Sequence, residues 1–86
     1  MKVPTVQYTY RHSKGWHIAF VQKSGEGFAV KYCSNIFFGD TIPDAFRKAS
    51  IEGVTEDMYT PKFIADCMRY LDSCDPDNYM EEFVKE

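Results

Sequence analysis

The feature that most constrains the fold is a period-two alternation of apolar and polar residues in the first 38 positions of the chain. Three segments alternate in this way and are rich in aromatic and β-branched side chains, which is typical of β-strands; they are residues 4–10, 16–22 and 28–33. The two segments between them carry Gly, Ser and charged residues and favour turns. Residues 36–38 either resume the third strand or begin an edge strand. The pattern predicts an antiparallel β-meander of three to four strands over about residues 4–38.

The second half of the chain changes to a helical pattern. Asp40 and Thr41 are candidate N-caps for a short helix over residues 43–52, since a proline follows at a first-turn position. Gly53 is a good residue to end that helix, because glycine adopts the left-handed conformation at little cost. A single helical turn is predicted at residues 55–58.

Two further helices are predicted by the same cap-then-proline signal. Thr60 and Pro61 open a helix that runs to about Ser73. Its apolar stripe consists of Ile64, Cys67, Met68 and Leu71. Asp75 and Pro76 repeat the signal and predict a last helix that carries Tyr79, Met80 and Phe83. The expected fold is α+β: the meander, followed by two to three helices packed on one face of the sheet.

The aromatic residues of the first half have two interpretations. A chain of 86 residues forms one domain, residues 1–86, with a thin core. Aromatic side chains bury much area, so we expect most of them to form the core face beneath the helices. This core set comprises Trp16, Phe20, Phe28 and Tyr32. On an exposed sheet face, the same aromatics interleaved with cations would instead make a single-stranded nucleic-acid-binding domain.

The cysteine count and the hydropathy pattern bear on the compartment. Three cysteines without framework spacing favour a reducing environment. The N-terminus has no apolar region typical of a secretory signal, and the longest uninterrupted aliphatic or aromatic stretch is residues 18–21, far too short to cross a bilayer. We therefore expect a cytoplasmic protein that does not bind a membrane.

No motif of the sequence predicts catalysis, a metal site or a cofactor. Cys67 and Cys74 are spaced seven apart, which does not match a zinc site. Cys33 as a nucleophile with His17 as its general base is the best available pair, but the two side chains would have to lie within hydrogen-bond reach to act together. The carboxylates from Asp72 onward do not match an EF-hand, since Met80 or Cys74 stands where that motif requires other residues. The expectation is a protein that is not an enzyme.

Charge divides the chain into two parts of opposite sign. Residues 1–51 contain seven cations and three carboxylates, whereas residues 52–86 contain three cations and ten carboxylates. Solvated helix faces and helix N-termini account for some of these acids. The alternative is an acidic surface that meets a basic partner protein. The predicted partner-binding residues are Asp66, Asp72, Asp75, Asp77, Glu81 and Glu82.

The segment that joins the two parts resembles the N-terminal domain of HicB-type antitoxins. The residues that carry this resemblance are Gly39, Asp40, Thr41, Ile42, Asp44, Ala45, Lys48 and Ala49, which follow three predicted strands. In that family a β-meander enters a helix through a similar Gly-Asp-Thr turn, so the resemblance implies an antitoxin-like module over about residues 1–52. The Pro-Gly-Cys segment that precedes the turn in that family is absent here.

These observations favour a small non-enzymatic interaction protein that inhibits or regulates another macromolecule through an acidic helical surface. Small inhibitors from phages or mobile elements, including anti-CRISPR proteins, share this profile, and their targets are host nucleic-acid-binding systems. The expected partner is another protein with a basic surface. An antitoxin-like module and a nucleic-acid-binding domain are the alternatives. The chain is expected to be a monomer or a homodimer.

Overall fold

The computed structural model describes residues 2–13, 15–51, 60–73 and 75–83. The helical turn expected at residues 55–58 and the helix end expected at Gly53 lie outside these ranges. The described strands and helices follow in chain order: β1 Lys2–Pro4, β2 Val6–His12, β3 Gly15–Ser24, β4 Gly27–Tyr32, β5 Asn35–Gly39, α1 Ile42–Ala49, α2 Pro61–Ser73, a 3₁₀-helix Pro76–Asn78, and β6 Tyr79–Glu81. The α+β class is confirmed.

The predicted meander is a four-stranded antiparallel sheet in the order β2-β3-β4-β5. Its register places Val6 opposite Val21, and Val21 opposite Val30. Because side chains alternate between the two faces of a strand, these valines share one face with Tyr8, Tyr10, Ala19 and Phe37. This face carries the hydrophobic core.

The helix α1 packs closely on the core face beside β4 and β5. Thr41 caps it, since its Oγ1 accepts a hydrogen bond from the Asp44 backbone N–H at 3.2 Å. Phe46 is fully buried, and Gly39 of β5 lets the helix backbone approach so closely that a Cβ at this position would overlap the Ala45 backbone nitrogen. The helix is shorter than expected: it ends at Ala49, and Ser50 adopts the left-handed conformation that was assigned to Gly53.

The helix α2 spans the predicted residues, Pro61–Ser73, with Thr60 as its cap. Cys67 and Leu71 of the predicted stripe are buried, and Ile64 and Met68 are half-buried. Phe63 meets the rings of Tyr8 and Phe46 edge to face at centroid distances of 5.2 and 6.2 Å, which joins this helix to β2 and α1. No helix among the described residues has the length and apolar character needed to span a membrane.

The prediction of a last helix after Asp75 is wrong. Asp75 does cap a helical turn, but that turn is a three-residue 3₁₀-helix. The chain then extends as β6, which pairs antiparallel with β1 so that Met80 lies opposite Val3. A hydrogen-bonded partner strand from the start of the chain thus replaces the helical conformation that the local pattern favours.

The expectation that the aromatic residues of β3 form the core is also wrong. The core face of this strand carries Ala19 and Val21, both fully buried. Trp16, Ile18 and Phe20 therefore lie on the opposite face, and Trp16 is 68% exposed. Phe28 and Tyr32 do pack against the core, as expected. We call the face opposite the helices the open face.

Candidate functional site

The side chain of Gln22 fixes the C-terminal segment of the chain on the open face. It is fully buried, and its Nε2 donates hydrogen bonds to Thr5 Oγ1 at 2.9 Å and to the Glu81 carbonyl oxygen at 3.1 Å. Its Oε1 accepts a hydrogen bond from the Phe83 backbone N–H at 2.9 Å. Thr5 in turn donates to the Val3 carbonyl oxygen at 3.1 Å. A buried amide with all these partners holds both β1 and β6 in a defined position.

Four of the six predicted partner-binding residues lie on this segment, which we call the acidic segment and define as residues 75–83. Asp75 accepts a hydrogen bond from the Asp77 backbone N–H at 3.1 Å and so has a structural role as the cap of the 3₁₀-helix. Asp77, Glu81 and Glu82 are exposed. Neither Asp77 nor Glu82 forms an ion pair with any residue in the described ranges. Both carboxylates are thus exposed and unpaired within the described part of the chain.

An open groove runs between the acidic segment and the strands β4 and β5. Its volume is about 480 Å³, and it is lined by Lys2, Lys31, Ile36, Tyr79, Met80, Glu81, Glu82 and Phe83. Ile36 is 36% exposed, a large fraction for an aliphatic side chain on a sheet face. The Lys31 ammonium lies 5.7 Å from the centroid of the Phe83 ring, within the range of a cation–π interaction. The lining of the groove combines apolar and charged side chains, as binding sites commonly do.

The other two predicted residues, Asp66 and Asp72, lie on α2, and each forms an ion pair. Asp66 pairs with Arg69 one turn along the helix at 2.7 Å. Asp72 pairs with Lys23 of β3 at 2.7 Å. Both pairs are exposed, and such pairs contribute little to stability. The structure therefore places the six carboxylates in two groups, and of these residues only Glu81 and Glu82 of the acidic segment line the groove.

A second feature of the open face is a projecting part of the β2–β3 hairpin. Strand β3 has ten residues but β4 has six, and pairing between them begins at Phe20 and Lys31. Residues 15–19 therefore pair with β2 alone. We call residues 9–13 and 15–18 the hairpin arm. On its open face Arg11 lies directly opposite Trp16, and Ile18, 42% exposed, is the next residue along β3 on that face.

The other face of the hairpin arm carries stacked rings. The Tyr10 and His17 rings stack with centroids 5.2 Å apart and planes 21° apart. His17 Nδ1 lies 3.2 Å from the hydroxyl of Tyr32, which comes from the end of β4. His12 is a further neighbour of His17 at 6.1 Å. This ring cluster braces the arm against the rest of the sheet.

The described cysteines do not form a catalytic pair with histidine. His17 is bonded to Tyr32 rather than to Cys33, whose exposed side chain sits in the β4–β5 turn. Burial raises the pKa of the Cys67 thiol to about 11, with a smaller contribution from the Asp66 carboxylate, so this group stays protonated and unreactive at neutral pH. The described ranges hold no cluster of three metal-ligating side chains.

Sequence reasoning missed Gln22 and misplaced Trp16. Period-two alternation places Gln22 on the same face as Trp16 and Phe20, so a polar residue at the end of that row was the available signal that this face is not the main core. The sequence pattern carries no signal for the distant partners of Gln22, which lie at residues 5, 81 and 83. No family model matches the sequence, and no curated protein or solved structure is significantly similar to the chain. The resemblance to HicB-type antitoxins stays a hypothesis.

Proposed function

We propose that this chain is a non-enzymatic interaction protein that binds a basic surface of another protein through the acidic segment and the adjoining groove. The observation that carries the proposal is the anchoring of the segment by Gln22, which holds the exposed carboxylates of Asp77 and Glu82 in a fixed position instead of on a frayed terminus. Glu82 also lines the adjoining groove. A fixed array of unpaired carboxylates favours a partner that presents Lys or Arg.

Apolar contact supports the same role for the groove. Interfaces combine an apolar centre with a polar rim, and residues at the centre supply most of the affinity. Ile36 and Met80 are apolar lining residues of the groove, and Glu81 and Glu82 line the same groove. The partner's cations would pair with the exposed carboxylates while an apolar side chain of the partner contacts Ile36 and Met80.

Inhibition of a nucleic-acid-binding protein is the form of this function that the charge favours. A basic surface that binds nucleic acid carries the cations that an acidic segment would neutralise. A phage-encoded or mobile-element inhibitor of anti-CRISPR type would act in this way, by occupying the surface that the nucleic acid needs.

The test is affinity capture from a lysate of the native host with two matched charge variants. The first, Asp77→Lys with Glu82→Lys, reverses the exposed charges of the acidic segment and leaves the cap Asp75 in place. The second, Asp66→Asn with Asp72→Asn, removes the two carboxylates of α2. We expect a protein partner that the wild-type chain and the second variant retain and that the first variant loses.

Salt and groove substitutions sharpen this test. Binding to a basic partner should weaken as salt rises from 50 to 500 mM, because exposed charges are screened. Ile36→Ser should weaken binding without changing its dependence on salt. A partner that survives the double reversal, or capture of no protein across this range of salt, would overturn the proposal.

A further inference from the structure

The open face of the hairpin arm carries an exposed aromatic ring next to a positively charged side chain. Trp16 is 68% exposed, and its register partner Arg11 is exposed on the same face. Arg11 forms no ion pair with another described residue. An unpaired guanidinium beside an exposed indole is the combination that single-stranded nucleic-acid sites use, with the ring for a base and the cation for the phosphate.

The charge of the arm is positive although the whole chain is negative. No acidic residue precedes Glu26, so the entire β2–β3 hairpin is free of carboxylates. Arg11 and His12 lie near the end of β2, close to the tip of the hairpin. A phosphate backbone that approaches the arm therefore meets no repulsive charge from the hairpin itself.

We propose that the hairpin arm binds single-stranded nucleic acid, with Trp16 stacked on a base and Arg11 paired with the adjacent phosphate. Single-stranded rather than duplex nucleic acid fits because stacking on Trp16 requires an unpaired base that can turn outward. This surface is separate from the groove beside the acidic segment and does not depend on the function proposed for that segment.

The bound strand is confined to the arm. Along β3, Ile18 and Phe20 follow Trp16 on the same face at intervals of about 6.8 Å, twice the rise per residue of a strand. Phe20 borders Asp77 of the acidic segment, whose carboxylate would repel a phosphate at that point. The site therefore accommodates a few nucleotides, and its affinity should be modest.

Ring contacts on its other face hold the described residues of the arm. The stack of Tyr10 on His17 and the contact of His17 with Tyr32 fix the opposite face of the arm. A binding element that is held in place loses less conformational entropy on association than a mobile loop does. Trp16 and Arg11 thus stand in position without a folding step.

The test uses Trp16 itself, because it is the only tryptophan of the chain. The purified protein at 50 mM salt is titrated with a mixed-sequence 12-nucleotide single-stranded DNA, the matching RNA, and a DNA duplex of the same length. We expect saturable quenching of tryptophan fluorescence by either single strand and weaker binding of the duplex. The dissociation constant should rise with salt.

Variants are compared by fluorescence anisotropy of the labelled strand. Trp16→Ala should weaken binding about tenfold, whereas Trp16→Phe, which keeps an aromatic face, should retain most of the affinity. Arg11→Gln should weaken binding. It should also reduce the slope of log binding constant against log salt concentration by about the amount due to one phosphate contact. Lys62→Gln removes one exposed cation on α2 and is the matched charge control, which should change neither the affinity nor this slope. Circular dichroism establishes that each variant folds.

Three results would overturn the proposal. The first is no quenching at single-strand concentrations up to about 1 mM at low salt, because even non-specific binding of nucleic acid has a dissociation constant below this concentration. The second is affinity that Trp16→Ala leaves unchanged. The third is a fluorescence shift that depends on protein concentration without nucleic acid, which would assign the exposed face to contact with a second copy of the chain.

Discussion

The side chain of Gln22 reaches the backbone of Phe83 across 61 positions of the sequence, and Oε1 accepts the Phe83 N–H at 2.9 Å. The same amide donates to Thr5 and to the Glu81 carbonyl. One buried side chain near the end of β3 therefore joins the start and the end of the described chain. The position of the acidic segment therefore rests on this amide as well as on the short pairing of β1 with β6.

Replacing Gln22 with leucine should destabilise the fold by about 2–3 kcal/mol. The substitution keeps the size of the side chain but leaves the Phe83 N–H and the Glu81 carbonyl without their buried partner, and unsatisfied buried groups of this kind cost about 1–3 kcal/mol each. The free energy of unfolding is measured by urea denaturation. Gln7→Leu is the control, because Gln7 is exposed on the same face and surface changes usually alter stability by less than about 0.5 kcal/mol. Equal effects of the two substitutions would contradict the anchoring role of Gln22.

A methyl group at Gly39 should disturb the packing of α1 on β5. A Cβ there would lie well inside contact distance of the Ala45 backbone nitrogen and of Asp44, and a helix backbone cannot move aside as a flexible side chain can. Gly39→Ala should therefore cost about 1–3 kcal/mol, the range typical of overpacking. Urea denaturation again measures the change.

Gly15→Ala is the matched control for that substitution. A Cβ at Gly15 meets no atom within 4 Å, so the change should be close to neutral. If Gly39→Ala proved as harmless as Gly15→Ala, the close approach of α1 to β5 would not be required by the fold.

The strands and helices that depend on local residue patterns could be predicted from the sequence. The strands around Tyr8, Ala19 and Val30 follow from period-two alternation, and α2 follows from its cap at Thr60 and its apolar stripe. These features depend on neighbours in the chain, so the propensities of adjacent residues agree with the final structure. The four-stranded meander was predictable for the same reason.

The sequence was insufficient where a distant partner decides the structure. The segment from Tyr79 has the spacing of a helix, but pairing with β1 makes it a strand, and no local signal reports a partner near the N-terminus. The core face of β3 was misassigned because Trp16 and Phe20 are larger than Ala19 and Val21. A small residue such as Ala19 lets a covering layer approach closely, so size alone does not identify the buried face. The predicted partner role of the acidic residues stays a prediction.

The β4–β5 turn should be open to stabilisation. Cys33 and Ser34 both have positive φ, 52° and 67°, which side-chain-bearing residues other than Asn and Asp adopt at a cost. Replacing them with Asn and Gly, the residues preferred in two-residue turns of this kind, should raise the free energy of unfolding by about 1 kcal/mol. Ser34→Ala is the control and should give no gain, because alanine keeps the strained conformation. A neutral Asn-Gly variant would contradict this account of the turn.

Burial of the Cys67 thiol should make the fold sensitive to alkaline pH. Its pKa in the folded protein is about 11, against an ordinary value of 9.0, so the folded state holds the proton where the unfolded chain loses it. Since the folded pKa is the higher one, the contribution to stability is complete below pH 9 and declines as pH rises from about 9 to 11. Burial also raises the pKa of the Tyr8 phenol, which gives a pH dependence of the same sign.

The variant Cys67→Val isolates the contribution of the thiol. Valine is similar in size and has no proton to lose, so the stability of this variant should fall less steeply above pH 9 than that of the wild-type chain. The measurement is urea denaturation of both proteins at pH 8, 9, 10 and 10.5 under reducing conditions. The lysines titrate in both proteins and cancel in the difference in unfolding free energy. The raised pKa of the Tyr8 phenol is due first to burial and second to the Cys67 thiolate, so the difference reports Cys67 together with its effect on Tyr8. A difference that stays constant from pH 8 to 10.5 would show that the thiol ionises equally in the folded and unfolded states.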